Sequence, residues 1–213
     1  MKALEDGFLV VLSDVKSEHD RDYFSWLTTE HVQERLGIPG FLAVRVFRRP
    51  IRGRHRYFIW YRLKGADVVD SRAYLERLNN PTPWSTRIMP VLENFARGGG
   101  AVVRSVGSGF GDFMFAIALN GSLSDAAGAI SNISAAPEIR SAHLLITDAK
   151  KSEIRTSERE LRTNNNTFGG LLIAESQSEL ALKQAAAVVS PVPAHSNPNA
   201  IDGFYQEVFA LSN

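Results

Sequence analysis

Five histidines, five tyrosines and no cysteine set the chemistry open to this 213-residue chain. Without thiols there is no disulfide, no zinc–thiolate site and no cysteine nucleophile. Proton transfer falls first to histidine, whose ring titrates near neutrality. His31, next to Glu30, is the leading candidate for an acid or base. On an unbroken helix Glu30 and Glu34 lie on the side of Trp26, where a buried carboxylate could orient the His31 ring. Glu34 is better read as a solvated partner of Arg35. The bland alternative for His31 is a helix-end ring bonded to backbone. Tyr57, Tyr61 and Arg45 form a second group, two phenols and a cation able to hold a carbonyl or phenolate oxygen. Their own bland reading is tyrosines satisfied at a barrel rim. Trp26, Trp60 and Trp84 could line a flat aromatic pocket, with Trp84 the best fit to plain core.

Other motifs exclude more than they suggest. His19, His55, His143 and His195 show no His-x-His or His-Glu-x-x-His spacing, so no protein-only metal site is expected. Gly107, Gly109 and Gly111 join strand to strand, which is not the setting of a dinucleotide loop. No serine has a nucleophile-elbow context. The hairpin 45–64 interleaves Arg48, Arg49, Arg52, Arg54 and Arg56 with aromatics. RNA-binding ferredoxin-like domains carry an aromatic–basic signature on this third strand. Here the flat glycine positions are missing and both hairpin faces are apolar, so nucleic acid is a disfavoured partner.

These residues need elements to hold them. Residues 7–13 (GFLVVLS) read as a strand buried on both faces. A helix follows from Ser17, with Glu18 and Asp20 in its first turn and Tyr23, Trp26 and Leu27 on one face. Thr28-Thr29 could break it, and Ile38-Pro39-Gly40 ends it. In the strand 41–49, Phe41, Ala43, Arg45 and Phe47 share one face. In 56–63, Phe58 and Trp60 point one way and Tyr57, Ile59 and Tyr61 the other. A helix layer covers only one face of such a hairpin, so the other demands a second sheet. Asp70 or Ser71 caps the next helix, and Thr82 with Pro83 opens another. Trp84, Ile88, Leu92 and Phe95 make a buried helical stripe kinked at Pro90. Gly98-Gly99-Gly100 then leads into a strand over 101–106.

The same order, strand, helix, two strands, helix, strand, is read again after the glycine-rich joint at 106–112. Its parts are strands at 112–119, 140–147, 168–174 and 204–211, with helices opened by Ser124 and by a Ser176–Glu179 capping box. The polar stretch 148–167 reads as a mobile hairpin loop, and 191–203 as a Pro/Asn loop. The fold class is therefore α+β: two tandem ferredoxin-like βαββαβ repeats, 1–107 and 108–213, forming an α+β barrel.

Composition agrees with a globular chain: 44% hydrophobic, 22% charged, formal charge +1. Such a charge selects neither nucleic acid nor an anionic membrane. The first residues lack a signal-peptide core and no apolar run spans a bilayer, so a cytoplasmic protein is expected.

Trp26, Glu30-His31, Arg35-Leu36 and Ile38-Pro39-Gly40-Phe41 together resemble the dimeric α+β barrel superfamily, in its EthD-like (Dabb-type) branch. The stretch 74–90 (YLERLNNPTPWSTRIMP) resembles uncharacterised bacterial members of that group. The resemblance implies a barrel of two ferredoxin-like units, able to pair as a homodimer, and a small, often aromatic ligand between sheet and helices. It implies either a cofactor-free enzyme with His31 as acid or base, or a non-catalytic ligand-binding or oligomerisation module. Trp26, Glu30, Arg45, Tyr57 and Tyr61 would line the ligand. Some relatives bind haem, but no residue here marks an axial ligand, so no cofactor is assigned.

Overall fold

A computed structural model describes residues 6–119, 123–189 and 201–213. The side chains of Ser124 and Ala126, the stretch 191–200 with His195, and the first five residues lie outside the described residues. Eight antiparallel strands close into one barrel in the order β1-β3-β2-β8-β5-β7-β6-β4. They are β1 (Gly7–Lys16), β2 (Phe41–Ile51), β3 (Arg54–Leu63), β4 (Glu93–Gly107), β5 (Phe113–Ala118), β6 (Ile139–Thr147), β7 (Gly170–Ser176) and β8 (Gly203–Ser212). Closure answers the demand made by the doubly apolar hairpin. Phe47 and Phe58 turn inward with Phe8, Val10, Met114, Ile173 and Tyr205. Tyr57, Ile59 and Tyr61 turn outward under the helices. Among the described residues no helix is long and apolar enough to cross a membrane.

The helices pack outside the barrel. α1 (Asp20–Trp26) and α2 (Val32–Leu36) share a covering layer with α3 (Arg72–Leu78) and α4 (Pro83–Ile88). α5 (Leu123–Ser134) and α8 (Glu179–Val189) cover the sheet of the later strands. Ser71 and Thr82 cap α3 and α4 through the amides of Tyr74 and Ser85. The cap of α8 is Ser178, whose hydroxyl accepts from Ala181 N–H; Ser176 instead donates to the Glu138 carbonyl. The expected capping box at Ser176 is thus displaced by two residues.

Three further expectations are corrected. Phe41 does not share the Arg45 face, because a bulge between Phe41 and Ala43 shifts the register. Phe41 turns to the helix side, against Tyr61 and Tyr74 at ring separations of 5.4 and 5.2 Å. The stripe from Trp84 to Phe95 is not one helix. α4 ends at Ile88, a single 3-10 turn spans Met89–Val91, and β4 begins at Glu93. Pro90 has no N–H to continue the helical ladder.

The glycine triplet lies inside β4, where neighbours come too close for side chains. A Cβ on Gly98 would stand 2.5 Å from the Phe168 ring, and one on Gly100 2.1 Å from the Ile146 carbonyl oxygen. That carbonyl is backbone at the β4–β6 seam and cannot swing away. Gly100→Ala should therefore cost about 3 kcal/mol, read as a lower urea midpoint, as overpacking against rigid structure does.

The third correction concerns 148–167. This stretch is not a loose hairpin. It forms α6 (Ala149–Ser152) and α7 (Ser157–Glu160), capped by Asp148 and Thr156. Its asparagines complete the sheet edge. Asn166 N–H donates to Phe95 O, Arg97 N–H donates to Asn166 O, and Asn164 accepts from Phe95 N–H. The polar composition that reads as mobility is used up in backbone hydrogen bonds.

Candidate functional site

α1 does not break at Thr28-Thr29. It passes through a π turn at Leu27–His31, where the Val32 N–H reaches back to the Leu27 carbonyl. The hydroxyls of Thr28 and Thr29 bond the carbonyls of Phe24 and Ser25. The wider turn brings the residue five along, rather than four, onto the Trp26 face. His31 accordingly lies against Trp26, ring centroids 4.4 Å apart. Trp26 is fixed by its Nε1–H, which donates to Ser85 Oγ at 3.2 Å. Glu30 is turned aside and accepts from the Thr82 hydroxyl at 2.6 Å.

His31 borders a cavity of about 50 Å³. The outer face of β1 and β3 is its floor, with Tyr61 projecting from β3. Trp26, His31 and Arg35 form a wall, and the 148–167 segment forms the roof with Ser152, Glu158 and Arg162. Arg35, buried to 2% exposure, donates to Glu158 at 2.5 Å. Arg162 stacks over Phe95 at 3.9 Å. Buried polar atoms without a hydrogen-bond partner gather here: His31 Nδ1, the Tyr61 hydroxyl, Arg35 Nη1, which has only the Glu34 carboxylate 3.9 Å away, and Nε and Nη2 of Arg97. Buried polar groups are ordinarily paired, so such a group around one cavity suits it to a polar occupant.

Charge sets the protonation states. Desolvation holds the His31 ring well below its usual 6.5, and the cations of Arg35, Arg162 and Arg77 push the same way. Burial pushes the Tyr61 phenol up, so it stays protonated. Burial works against the Arg35 charge, but Glu158, with Tyr74 and Tyr61, more than offsets it. Desolvation brings Arg162 down to about 10. The cavity thus holds an uncharged base, a phenol donor and an obligatory cation.

His143, in a second cavity, is likewise held down to about 4 by desolvation and then by Arg45. Both histidines stay neutral in the folded chain while the unfolded chain takes up protons below about 6.5. The stability they confer is complete above that pH and is lost as pH falls. Urea midpoints should decline from pH 7 to pH 5, each histidine contributing about 1.4 kcal/mol per pH unit. His31→Gln should make the decline shallower.

The expected site residues do not converge. Trp26, His31 and Tyr61 share the first cavity, whereas Glu30 and Tyr57 border neither cavity. Tyr57 is buried and donates to Asp20 at 2.7 Å. Arg45 points into the barrel, paired with Glu175 and Glu207, and lines a larger cavity of about 490 Å³ at the barrel mouth. Strand alternation puts Arg45 and Tyr61 on opposite sheet faces. Trp60 lines the mouth, and Trp84 lines neither cavity, its indole N–H donating to Asp22.

Arg35, Glu158 and Arg162 were not legible as site residues. Arg35 lies one helical turn after His31, which could have flagged it. Nothing in a polar stretch 123 positions downstream marks Glu158 as its partner.

Haem does not fit these residues. The His31 cavity is far below the roughly 300–1,000 Å³ of sites for drug-sized ligands. At the mouth, His143 Nδ1 is bonded to Ser105 and Nε2 faces Glu175. RNA binding loses its platform as well. Tyr57, Phe58 and Tyr61 are buried. Arg48, Arg54 and Arg56 pair with Asp20, Glu93 and Asp14.

No family model and no curated protein matches the chain. Solved structures do match along nearly its whole length. An anthrone oxidase-like protein superposes with a TM-score of 0.61 at 13% identity, covering 99% of this chain and 94% of its own. A candidate monooxygenase of Fusobacterium nucleatum subsp. nucleatum gives 0.55 at 13%, covering 99% and 95%. A candidate chlorite dismutase gives 0.56 at 10%, covering 96% of each. At such identities the shared property is the fold, an α+β barrel.

Proposed function

We propose that this protein is a cofactor-free enzyme that removes a proton from a small, flat organic substrate, with His31 as the base. The reading rests on one observation, the convergence on one cavity of His31 Nδ1, the Tyr61 hydroxyl and Arg35 Nη1, none of which has a hydrogen-bond partner. The proton passes to His31 Nδ1, and the electron pair of the broken bond moves onto a conjugated carbonyl oxygen. Tyr61 donates to that oxygen and the Arg35 guanidinium offsets its charge. Catalysis here needs a neutral base, which burial among arginines supplies.

A volume of about 50 Å³ is too small for a tricyclic substrate, so we infer that the 148–167 roof lifts to admit one. Two of its fastenings are the Arg35–Glu158 and Lys151–Asp70 pairs. A name among the structural neighbours suggests the first compound to try. Anthrone carries acidic methylene protons conjugated to a carbonyl. Incubated anaerobically in deuterated buffer, it should exchange those protons faster with the protein than without. Exchange no faster than in buffer, for anthrone and related carbon acids, would reject the proposal.

The alternative, a ligand-binding module without turnover, is favoured by the small cavity. It expects thermal stabilisation by a ligand with no exchange. We also read the barrel as two ferredoxin-like units, 1–107 and 108–213, each giving four strands. The seams β2–β8 and β4–β6, which join strands from the two halves, support this reading.

A further inference from the structure

The barrel mouth is a second site, unconnected with His31. Its cavity, about 490 Å³, is within the range of small-molecule pockets. Trp60 and Phe110 provide aromatic surface. Phe110 is 67% exposed, so its ring is accessible at the mouth.

The polar groups around these rings divide into engaged and free. Arg45 donates to Glu207, Glu175 and the Gly111 carbonyl, so each of its three nitrogens is engaged. Glu175 is neutralised by Arg45 and also accepts from Gly111 N–H. Ser105 Oγ lies 2.9 Å from His143 Nδ1, and Glu175 Oε1 lies 3.8 Å from Nε2. This favours the tautomer with hydrogen on Nε2, so Ser105 donates to Nδ1. Ser108 and Ser212 are exposed polar groups of the lining, and two further groups, Ser141 and Arg62, are free. Ser141 Oγ lines the cavity, is buried and has no partner. Arg62, exposed at the rim, has no ion-pair partner among the described residues. Asp6, also exposed on the rim, carries the opposite charge, and water screens it and Arg62 alike, so the pull on an anion comes from direct contact with the guanidinium.

We propose that the barrel mouth binds a planar aromatic carboxylic acid. Its ring packs on Trp60 and Phe110, and its carboxylate takes the Arg62 guanidinium and the Ser141 hydroxyl. A guanidinium–carboxylate pair with a hydroxyl donor matches Arg62 and Ser141. Aromatic packing uses the faces that Trp60, half-buried against His143, and Phe110, under the Arg45 guanidinium, leave open to the cavity.

The test uses the full chain with 2-naphthoate and its neutral analogue 2-naphthylmethanol, followed by calorimetry. Saturable 1:1 binding of 2-naphthoate is expected. Arg62→Gln should weaken the acid by about tenfold, the loss of one charge-assisted contact, and leave the alcohol unchanged. Trp60→Leu should weaken both. Phe110→Ala, at an exposed position, repeats that test should Trp60→Leu fail to fold. His31→Ala should leave 2-naphthoate binding intact, which separates this site from the proposed catalytic one. No saturable binding up to the solubility limit overturns the proposal. So does binding that ignores Arg62→Gln and Phe110→Ala, or binding lost with His31→Ala alone.

Discussion

Replacing His31 by alanine should slow substrate deprotonation by about 10²–10⁴-fold, the usual contribution of a positioned general base. The ring is the uncharged base in a cavity whose polar walls include a phenol, arginines and the Glu158 carboxylate. Tyr61 stays protonated, Arg35 is held charged by Glu158, and the Glu158 carboxylate is itself engaged by Arg35, so none of them replaces the ring. Alanine also removes the contact with Trp26, so folding must be followed separately. His31→Gln keeps most of the volume and a hydrogen-bonding amide but no basic nitrogen. Both variants should lose exchange activity, and glutamine should keep the melting midpoint closer to the parent's. If His31→Gln retained full exchange rate, His31 would be structural.

Glu158→Ala should destabilise the fold by about 3–5 kcal/mol, because it strands a buried cation. Arg35 is buried with Glu158 at 2.5 Å, while Glu34 stands 3.9 Å away and also pairs with Arg77 at 3.2 Å. The remaining carboxylate cannot replace the lost one at that distance. The loss should be local first. Amides of α6 and α7 should exchange with solvent faster than those of the barrel, since the pair fastens this segment to α2. Replacing both partners together, Arg35→Met with Glu158→Leu, should recover much of the stability, because no uncompensated charge remains. A cost below about 1 kcal/mol for Glu158→Ala would mean that water already reaches the guanidinium.

How much of this was legible varied with the interaction that decides each element. The barrel was legible because Phe58 and Trp60 alternate with Tyr57, Ile59 and Tyr61, and two apolar faces need two covers. The Ser71 and Thr82 caps were legible because a single hydroxyl and the next few residues determine them. The π turn was not. Its i→i+5 bond has no sequence period, and the Thr28-Thr29 pair that signals disruption reads equally well as a break. That one-residue shift exchanges Glu30 for His31 on the Trp26 face. Phe41 was misplaced for a similar reason, since one bulge reverses alternation. Arg45 was grouped with Tyr57 and Tyr61 from hairpin proximity, although its strand face sends it into the barrel. The largest omission is the roof. Glu158 and Arg162 meet Arg35 and Phe95 only after the barrel closes, and local composition holds no trace of such distant pairings.

At neutral pH His31 is an uncharged base, kept so by desolvation and the surrounding arginines. Ring ¹⁵N shifts of His31, followed by NMR from pH 8 down to the acid limit of folding, report this state, with His31→Gln giving the assignment. A neutral ring should still be present at pH 5, with one nitrogen unprotonated. A ring that titrates near 6.5, as a solvated histidine does, would contradict it.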